Sequence, residues 1–239
     1  PLYALTLFSS ALRAGETDPA KLTRVLHIEE CVASLDHLFS ELLDLSRLET
    51  GAVQAAIADV RLDEVFDEVS RNFRMLAESR GLRLIVRKTD AWVRADRTML
   101  TRILNNLVSN ALRYTDHGGV LVGVRHQRSG QVRIDVWDTG HGIAAEHQPR
   151  VFEEFYQVSH EHAHPGERQR GLGLGLATVR KLAELLGCRI SLASIPARGT
   201  LVSLVMAAGT PAAHSHVPDF GDAPLDVSGL RVLVVDDEV

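Results

Sequence analysis

The sequence predicts an α+β chain, a two-helix hairpin followed by a two-layer α/β sandwich. Three observations carry this. Residues 25–42 place apolar side chains at strict three-and-four spacing, the period of a helical seam. Two pairs of short apolar runs, each joined by a few turn residues, read as β-hairpins. Amphipathic helical stretches are set among those strands, and helices packed on one side of an antiparallel-rich sheet form two layers.

The elements follow in chain order. A first helix ends near Ala14, with Gly15 as its stop and "GETDPA" as the turn. Asp18 caps the second helix, and Pro19 suits a first position that needs no amide partner. Val25, Ile28, Val32, Leu35, Phe39 and Leu42 form its seam, and Leu2, Leu5 and Leu12 continue that seam on the first helix. Leu38, Leu43, Leu45 and Leu48 widen the apolar face beyond one partner, so the hairpin is expected to pair with a copy of itself as a four-helix bundle. A helix over 62–79 leads through Gly81 to the strand "LRLIV". Asp96 opens a helix through "RTMLTRILNNLVSNALRYT". The runs "GVLVGVRHQ" and "QVRIDVWD", turning at Ser129 and Gly130, make the first hairpin; "RISLAS" and "TLVSLVM", around "IPARG", make the second. The expected divisions are a hairpin over 1–50, a sandwich over 51–206, a linker rich in Ala, Pro, Gly, His and Ser over 207–228, and a new buried strand over 229–239.

Composition narrows the possibilities. With 239 residues, 45% hydrophobic and 24% charged, the chain can bury an ordinary globular core. Its net charge of −5 argues against a nucleic-acid surface, so an anionic ligand would need a local site of backbone amides and a few cations. Cys31 and Cys188 stand in unrelated contexts and are expected as buried small residues, not a disulfide, which fits a reducing, cytoplasmic setting. No apolar run is long enough to cross a membrane. The chain starts at Pro1 and stops at Val239 in mid-pattern, as expected of part of a longer protein.

Three motifs carry chemistry. "DTGHGI" (138–143) puts a carboxylate at a strand end, followed by Gly140 and Gly142, which let the backbone turn sharply and a planar ligand lie against it. A buried Asp138 would accept from an exocyclic amine and so prefer adenine over guanine. "GLGLG" (171–175) precedes a helix whose free amides and dipole favour phosphate oxygens. It lacks the Gly-Lys-Ser/Thr of a Walker loop and the strand that leads into a dinucleotide fingerprint. In "NNLVSNALRYT", Asn106 and Asn110 lie one turn apart on one helix face, with Arg113 and Tyr114 just beyond. Amide oxygens are hard ligands suited to Mg²⁺; Arg113 would neutralise phosphate charge and Tyr114 would stack on a base.

In this order and spacing the residues resemble the ATP-binding domain of sensor histidine kinases, within the gyrase–Hsp90–histidine kinase–MutL superfamily, whose Bergerat-type fold holds ATP between helices and sheet under a lid. "NLVSNALRYT" looks like the N box, "DTGHGI" the G1 box, "FEEFYQ" the F box and "GLGLGLA" the G2 box. The resemblance covers roughly residues 1–206. It implies Asn110 as Mg²⁺ ligand with Asn106 beside it, Asp138 as adenine reader with Gly140, Gly142 and Ile143, and Thr200 at the adenine-contacting position of the last strand. It also implies Arg113 on phosphate, Tyr114 on the base, and Gly171, Leu172, Gly173, Gly175 and Leu176 on the phosphate side. The lid would be about 157–172, and Arg168 and Arg170 would close on the γ-phosphate; the lid histidines of "SHEHAHPGER" are not expected to hold a metal. The superfamily's ATPases have a glutamate where Asn106 stands, and an amide is not a base, which favours phosphoryl transfer over hydrolysis.

By the same resemblance the hairpin is a homodimerisation and histidine phosphotransfer unit. "PLYALTLFSSAL" looks like the continuation of an H box whose acceptor histidine lies upstream of Pro1, so no catalytic histidine is expected within the chain; His27 and His37 are read as surface residues. "LRVLVVDDEV" resembles the first strand of a receiver domain, with Asp236 and Asp237 as its acidic pair. The implied protein is a hybrid kinase using Mg²⁺ and ATP, passing phosphate to a receiver in cis or a response regulator in trans, with any membrane anchor outside the chain. Two other readings remain, a catalytically silent nucleotide-binding scaffold and an ATPase clamp of the same superfamily.

Overall fold

The structure is a computed structural model that describes residues 18–49, 53–127, 130–158 and 173–211, with positions 5, 7, 8, 10, 12 and 13. The rest of the first helix, residues 159–172 of the expected lid, residues 212–228 of the expected linker and the strand expected over 229–239 lie outside the described residues.

Helix α1 (Pro19–Glu49) starts as its sequence dictates: the Asp18 carboxylate accepts from the Ala20 amide at 2.9 Å. Ser10 and Arg13 of the preceding helical segment both bond Glu29, at 3.3 and 3.0 Å, which lays that segment along α1. The expected seam is only partly covered. Val25 and Val32 are buried, while Ile28, Leu35, Phe39 and Leu42 remain exposed together with Leu26 and Leu43. At three-and-four spacing the six seam residues share one side of α1, so among the described residues that single apolar face is covered in part and open in part. Cys31, expected inside, is exposed; Cys188 is half-buried, burial raises its thiol to about 11, and both cysteines are free.

The sandwich follows. Strand β1 (Ala58–Arg61) precedes α2 (Leu62–Ser79), then come β2 (Arg83–Val86), β3 (Trp92–Ala95), α3 (Arg97–Arg113), β4 (Gly119–His126), β5 (Gln131–Asp138), α4 (Gly175–Leu185), β6 (Arg189–Ile195) and β7 (Gly199–Ala207). One sheet runs β2-β4-β5-β7-β6, antiparallel except for the parallel β2–β4 pair. No local sequence pattern marks β1 and β3. They pair antiparallel with each other, Ala58 opposite Ala95, as a separate ribbon.

Local chemistry sets the ends of the helices. Asp96 caps α3 through Met99 N–H at 3.0 Å, and its other oxygen takes Ala56 N–H at 2.9 Å. Gly81, at φ 66°, closes α2, and Leu82 N–H returns to the Ala77 carbonyl. Along α3, Leu100, Ile103, Leu104 and Leu112 are fully enclosed, each burial contributing about 1.5–3 kcal/mol. They meet Val122, Ile134 and Leu204 from the inner face of the sheet in one core. Leu48, near the end of α1, joins that core, where α1 touches α4.

The sandwich continues past 206. Ala208 bridges Val93, Gly209 N–H donates to the Trp92 carbonyl at 2.8 Å, and Thr210 N–H donates to Asp59 at 3.1 Å. The first residues of the expected linker are thus fastened to the β1–β3 ribbon.

Candidate functional site

The site lies between α3, the end of β5 and the start of α4. Helix α3 carries Asn106 and Asn110 on one face, both half-buried. A Cβ built on Gly175 would lie 3.6 Å from Asn110 Nδ2 and 3.8 Å from Asn106 Oδ1, so the start of α4 faces the paired amides. Gly175 is the first residue of α4, not a residue ahead of it. No side chain among the described residues caps this helix, in contrast to Asp18 on α1 and Asp96 on α3. Its first-turn amides therefore face the same space as Asn106 and Asn110, the arrangement that favours phosphate.

Asp138 is 8% exposed at the end of β5. Its Oδ1 accepts from Gly140 N–H at 2.9 Å and from Thr200 N–H at 3.1 Å. Oδ2 has no hydrogen bond among the described residues and stands ready to accept one. Burial pushes this carboxyl above its ordinary value of 3.8, partly opposed by the two amides and by His141. Thr200 Oγ1 meets Ser194 Oγ at 2.9 Å, and Ser194 Oγ takes Ile143 N–H at 2.8 Å. Gln148 Nε2 ties the carbonyls of Ile143 and Ser194, both at 2.9 Å. The sequence reading missed Ser194 and Gln148. Ser194 reaches the site because β6 and β7 pair it with Thr200, a register no local pattern marks.

The glycines of the Asp138 loop differ from expectation. A Cβ on Gly140 would strike the Tyr114 carbonyl and Thr115 Oγ1; one on Gly142, at φ 68°, would strike Ile195 O and Pro196. They let protein backbone pack on protein backbone, and no ligand is needed to explain them. The loop is held by His141 N–H to Tyr114 O at 3.1 Å and by Ala197 N–H to His141 O at 2.7 Å. His141 Nε2 also meets Asp116 Oδ2 at 2.6 Å, and that bond holds the Asp116 carboxyl below its ordinary value.

Tyr114 caps the end of α3 with a half-exposed ring, the Arg113 guanidinium 5.9 Å from its centroid. Leu176 packs against the core instead of lining the open space, and Leu174 is fully buried. Arg168, Arg170, Gly171 and Leu172 lie outside the described residues.

Gly173 has a different task from Gly175. Its φ is 75°, and a Cβ would come within 2.8 Å of Tyr156 O and 2.9 Å of Phe155 C. It packs against the "FEEFYQ" segment, where the Tyr156 hydroxyl meets His147 Nδ1 at 2.6 Å under the Arg150 guanidinium. The two substitutions should therefore part company. Gly173→Ala is expected to lower stability without ligand by roughly 1–2 kcal/mol for the left-handed backbone alone, and so to melt earlier. Gly175→Ala should melt like the parent yet bind nucleotide more weakly, because its methyl group enters the space before the asparagines. Differential scanning fluorimetry with and without nucleotide separates the two; equal apo melting of both variants would overturn the distinction.

The donor set fits magnesium. Two hard amide oxygens beside uncapped helix amides match an ion that keeps waters and bridges phosphate, and no cluster of three His, Cys, Asp or Glu occurs among the described residues. Residues 95–209 match the family described as histidine kinase-, DNA gyrase B-, and HSP90-like ATPase. Over these residues the chain is similar to histidine kinase-type ATPase domains. It is 29% identical to the aerobic respiration control sensor protein ArcB of Escherichia coli over 99% of this chain and 30% of that protein. It is 32% identical to the sensor-like histidine kinase SenX3 of Mycobacterium tuberculosis over 90% of this chain and 52% of that protein. The chain thus spans a third to a half of these relatives. Full-length ShkA in complex with AMPPNP matches 89% of this chain and 44% of its own at a TM-score of 0.75 and 26% identity. The mycobacterial sensor histidine kinase MprB matches 65% of this chain and 99% of its own at 0.52 and 26% identity. The α+β sandwich is that of histidine kinase ATP-binding domains. No helix of the described residues is long and apolar enough to cross a membrane.

Proposed function

We propose that this chain is the Mg·ATP-binding core of a protein-histidine kinase in a two-component phosphorelay. The observation that carries the reading is the paired amides of Asn106 and Asn110 facing Gly175 at an uncapped helix start, with Asp138 Oδ2 unpartnered at the other end of the site. Asp138 takes the exocyclic amine of adenine, and the bond from Thr200 N–H to Oδ1 keeps that carboxylate turned toward the base. Tyr114 packs on the ring, Arg113 neutralises phosphate charge, and the first amides of α4 hold the phosphate oxygens. Asn110 would hold Mg²⁺, and the ion would supply positive charge that neutralises the phosphates. Asn106 offers no base for a water, so the γ-phosphoryl group is kept for a histidine acceptor. Arg168 and Arg170 complete the phosphate contacts.

The decisive experiment places an H box ahead of Pro1 and supplies γ-labelled ATP with Mg²⁺. Acid-labile, base-stable label on the protein is expected, followed by its passage to a receiver aspartate. Steady phosphate release with no labelled protein would favour the ATPase clamp, and binding without either would favour the silent scaffold.

The exposed α1 face supports homodimerisation, since Ile28, Leu35, Phe39 and Leu42 have no cover among the described residues. Leu35→Glu with Phe39→Glu should halve the mass measured by light scattering while the ATP domain still binds nucleotide. A variant that stays dimeric would place the interface elsewhere.

A further inference from the structure

The second face of the five-stranded sheet points away from the helices, and the strand registers order its side chains in rows. Ile85, Leu121, Trp137, Leu201 and Ala193 form an apolar row across all five strands. Ile85 is 50% and Trp137 46% exposed. Gly123, Asp135, Ser203 and Ser191 form the next row, and Arg125, Arg133, Val205 and Arg189 the one after. Gly123 leaves a groove between Trp137 and the arginines Arg87 and Arg125.

This face is positively charged. Asp135 is the only acid among its strand residues, and it is already spent: Oδ1 takes Arg133 Nε at 2.6 Å and Ser203 Oγ at 2.7 Å, while Arg125 Nε lies 3.3 Å from Oδ2. Arg83, Arg87 and Arg189 make no ion pair among the described residues. An apolar row beside unbalanced arginines suits an extended segment that carries both acids and large apolar side chains.

The chain has such a segment. Between Arg198 and Arg231 it contains no Lys or Arg, and residues 219–227, "DFGDAPLDV", set Asp219, Asp222 and Asp226 among Phe220, Leu225 and Val227. The tether is long enough. Asp219 lies eight residues beyond Pro211, at most about 26–29 Å of extended chain, against about 19 Å across five strands. We propose that residues 219–227 dock in cis on this open face, the aspartates on the arginine row and Phe220 and Leu225 over Trp137 and Leu201. The ATP domain then carries its own C-terminal segment on the side opposite the nucleotide site, and whatever follows Val227 is held at a defined place against it.

Trp137 and Trp92 are the two tryptophans of the chain, so Trp92→Phe leaves Trp137 as the reporter. In the full chain, acrylamide quenching of Trp137 should rise about twofold in Phe220→Ser with Leu225→Ser, as a covered ring becomes half-exposed. Asp219→Lys, Asp222→Lys and Asp226→Lys together should give the same rise, as should 1 M salt on the parent, where screening leaves a Debye length of about 3 Å. Arg125→Glu with Arg189→Glu should also raise it, and combining the two reversals should restore the shielding. Equal quenching in the parent and all segment variants would overturn the proposal. So would shielding that depends on protein concentration, which would assign the segment to a second copy. Should Trp92→Phe fail to fold by circular dichroism, the same variants are read as differences with both tryptophans present.

Discussion

Asp138→Asn is expected to weaken ATP binding by about 1.5–3 kcal/mol, roughly ten- to a hundredfold, because it removes a charge-assisted hydrogen bond to the adenine amine. The substitution tests ligand recognition without dismantling the loop. The asparagine carbonyl can keep the Gly140 and Thr200 amides that Asp138 Oδ1 holds now, while its NH₂ replaces the unpartnered oxygen with a donor. The pH dependence separates the two proteins. Burial holds the Asp138 carboxyl above 3.8. A raised carboxyl costs native stability once pH climbs past the unfolded value, so the variant without ligand should melt no earlier than the parent at neutral pH. Binding runs the other way: the parent's affinity should fall as pH drops through the raised value and the carboxylate takes a proton, while the variant stays flat there. Calorimetric titration of ATP at several pH values checks both. Unchanged affinity would remove Asp138 from adenine recognition.

Asn110→Ala should abolish the magnesium-dependent part of nucleotide binding and leave the fold intact. Alanine favours a helix interior more than asparagine by about 0.5 kcal/mol, and the neighbouring core contacts belong to Leu107, Ala111 and Leu112. Loss of binding therefore cannot be put down to loss of α3. The direct comparison titrates Mg·ATP and metal-free ATP into parent and variant. A variant that binds Mg·ATP as well as the parent does would place the ion on other ligands. Asn106→Ala is the useful companion, since Asn106 Oδ1 faces the same Gly175 from one turn earlier.

Much of this protein is legible in short stretches of sequence because short-range chemistry decides them. Asp18 and Asp96 announce helix starts, and both carboxylates accept the amides expected of caps. Gly81 and the two hairpin turns mark chain reversals, and the three-and-four spacing of Leu100, Ile103, Leu104 and Leu107 marks a buried helix face. The order of the asparagine pair, the Asp138 loop and the glycine repeat indicates a nucleotide domain because each motif lies within a dozen residues.

Other features depend on partners far away in the chain, and only the tertiary structure decides them. β1 and β3 are four-residue strands with too little pattern to register, and they exist because they pair with each other and receive Ala208 and Gly209 from the far end of the domain. Ser194 and Gln148 enter the site through the β6–β7 register and a loop crossing. The glycines illustrate the division most directly. Sequence shows that side chains are missing at 140, 142, 173 and 175; it does not show what they were cleared for. At Gly140, Gly142 and Gly173 the space is taken by this chain's own backbone, and only at Gly175 does it open on the asparagines. A local pattern records that a Cβ is forbidden, whereas the atom that forbids it comes from another element, brought there by the packing of α3, α4 and the sheet around one core.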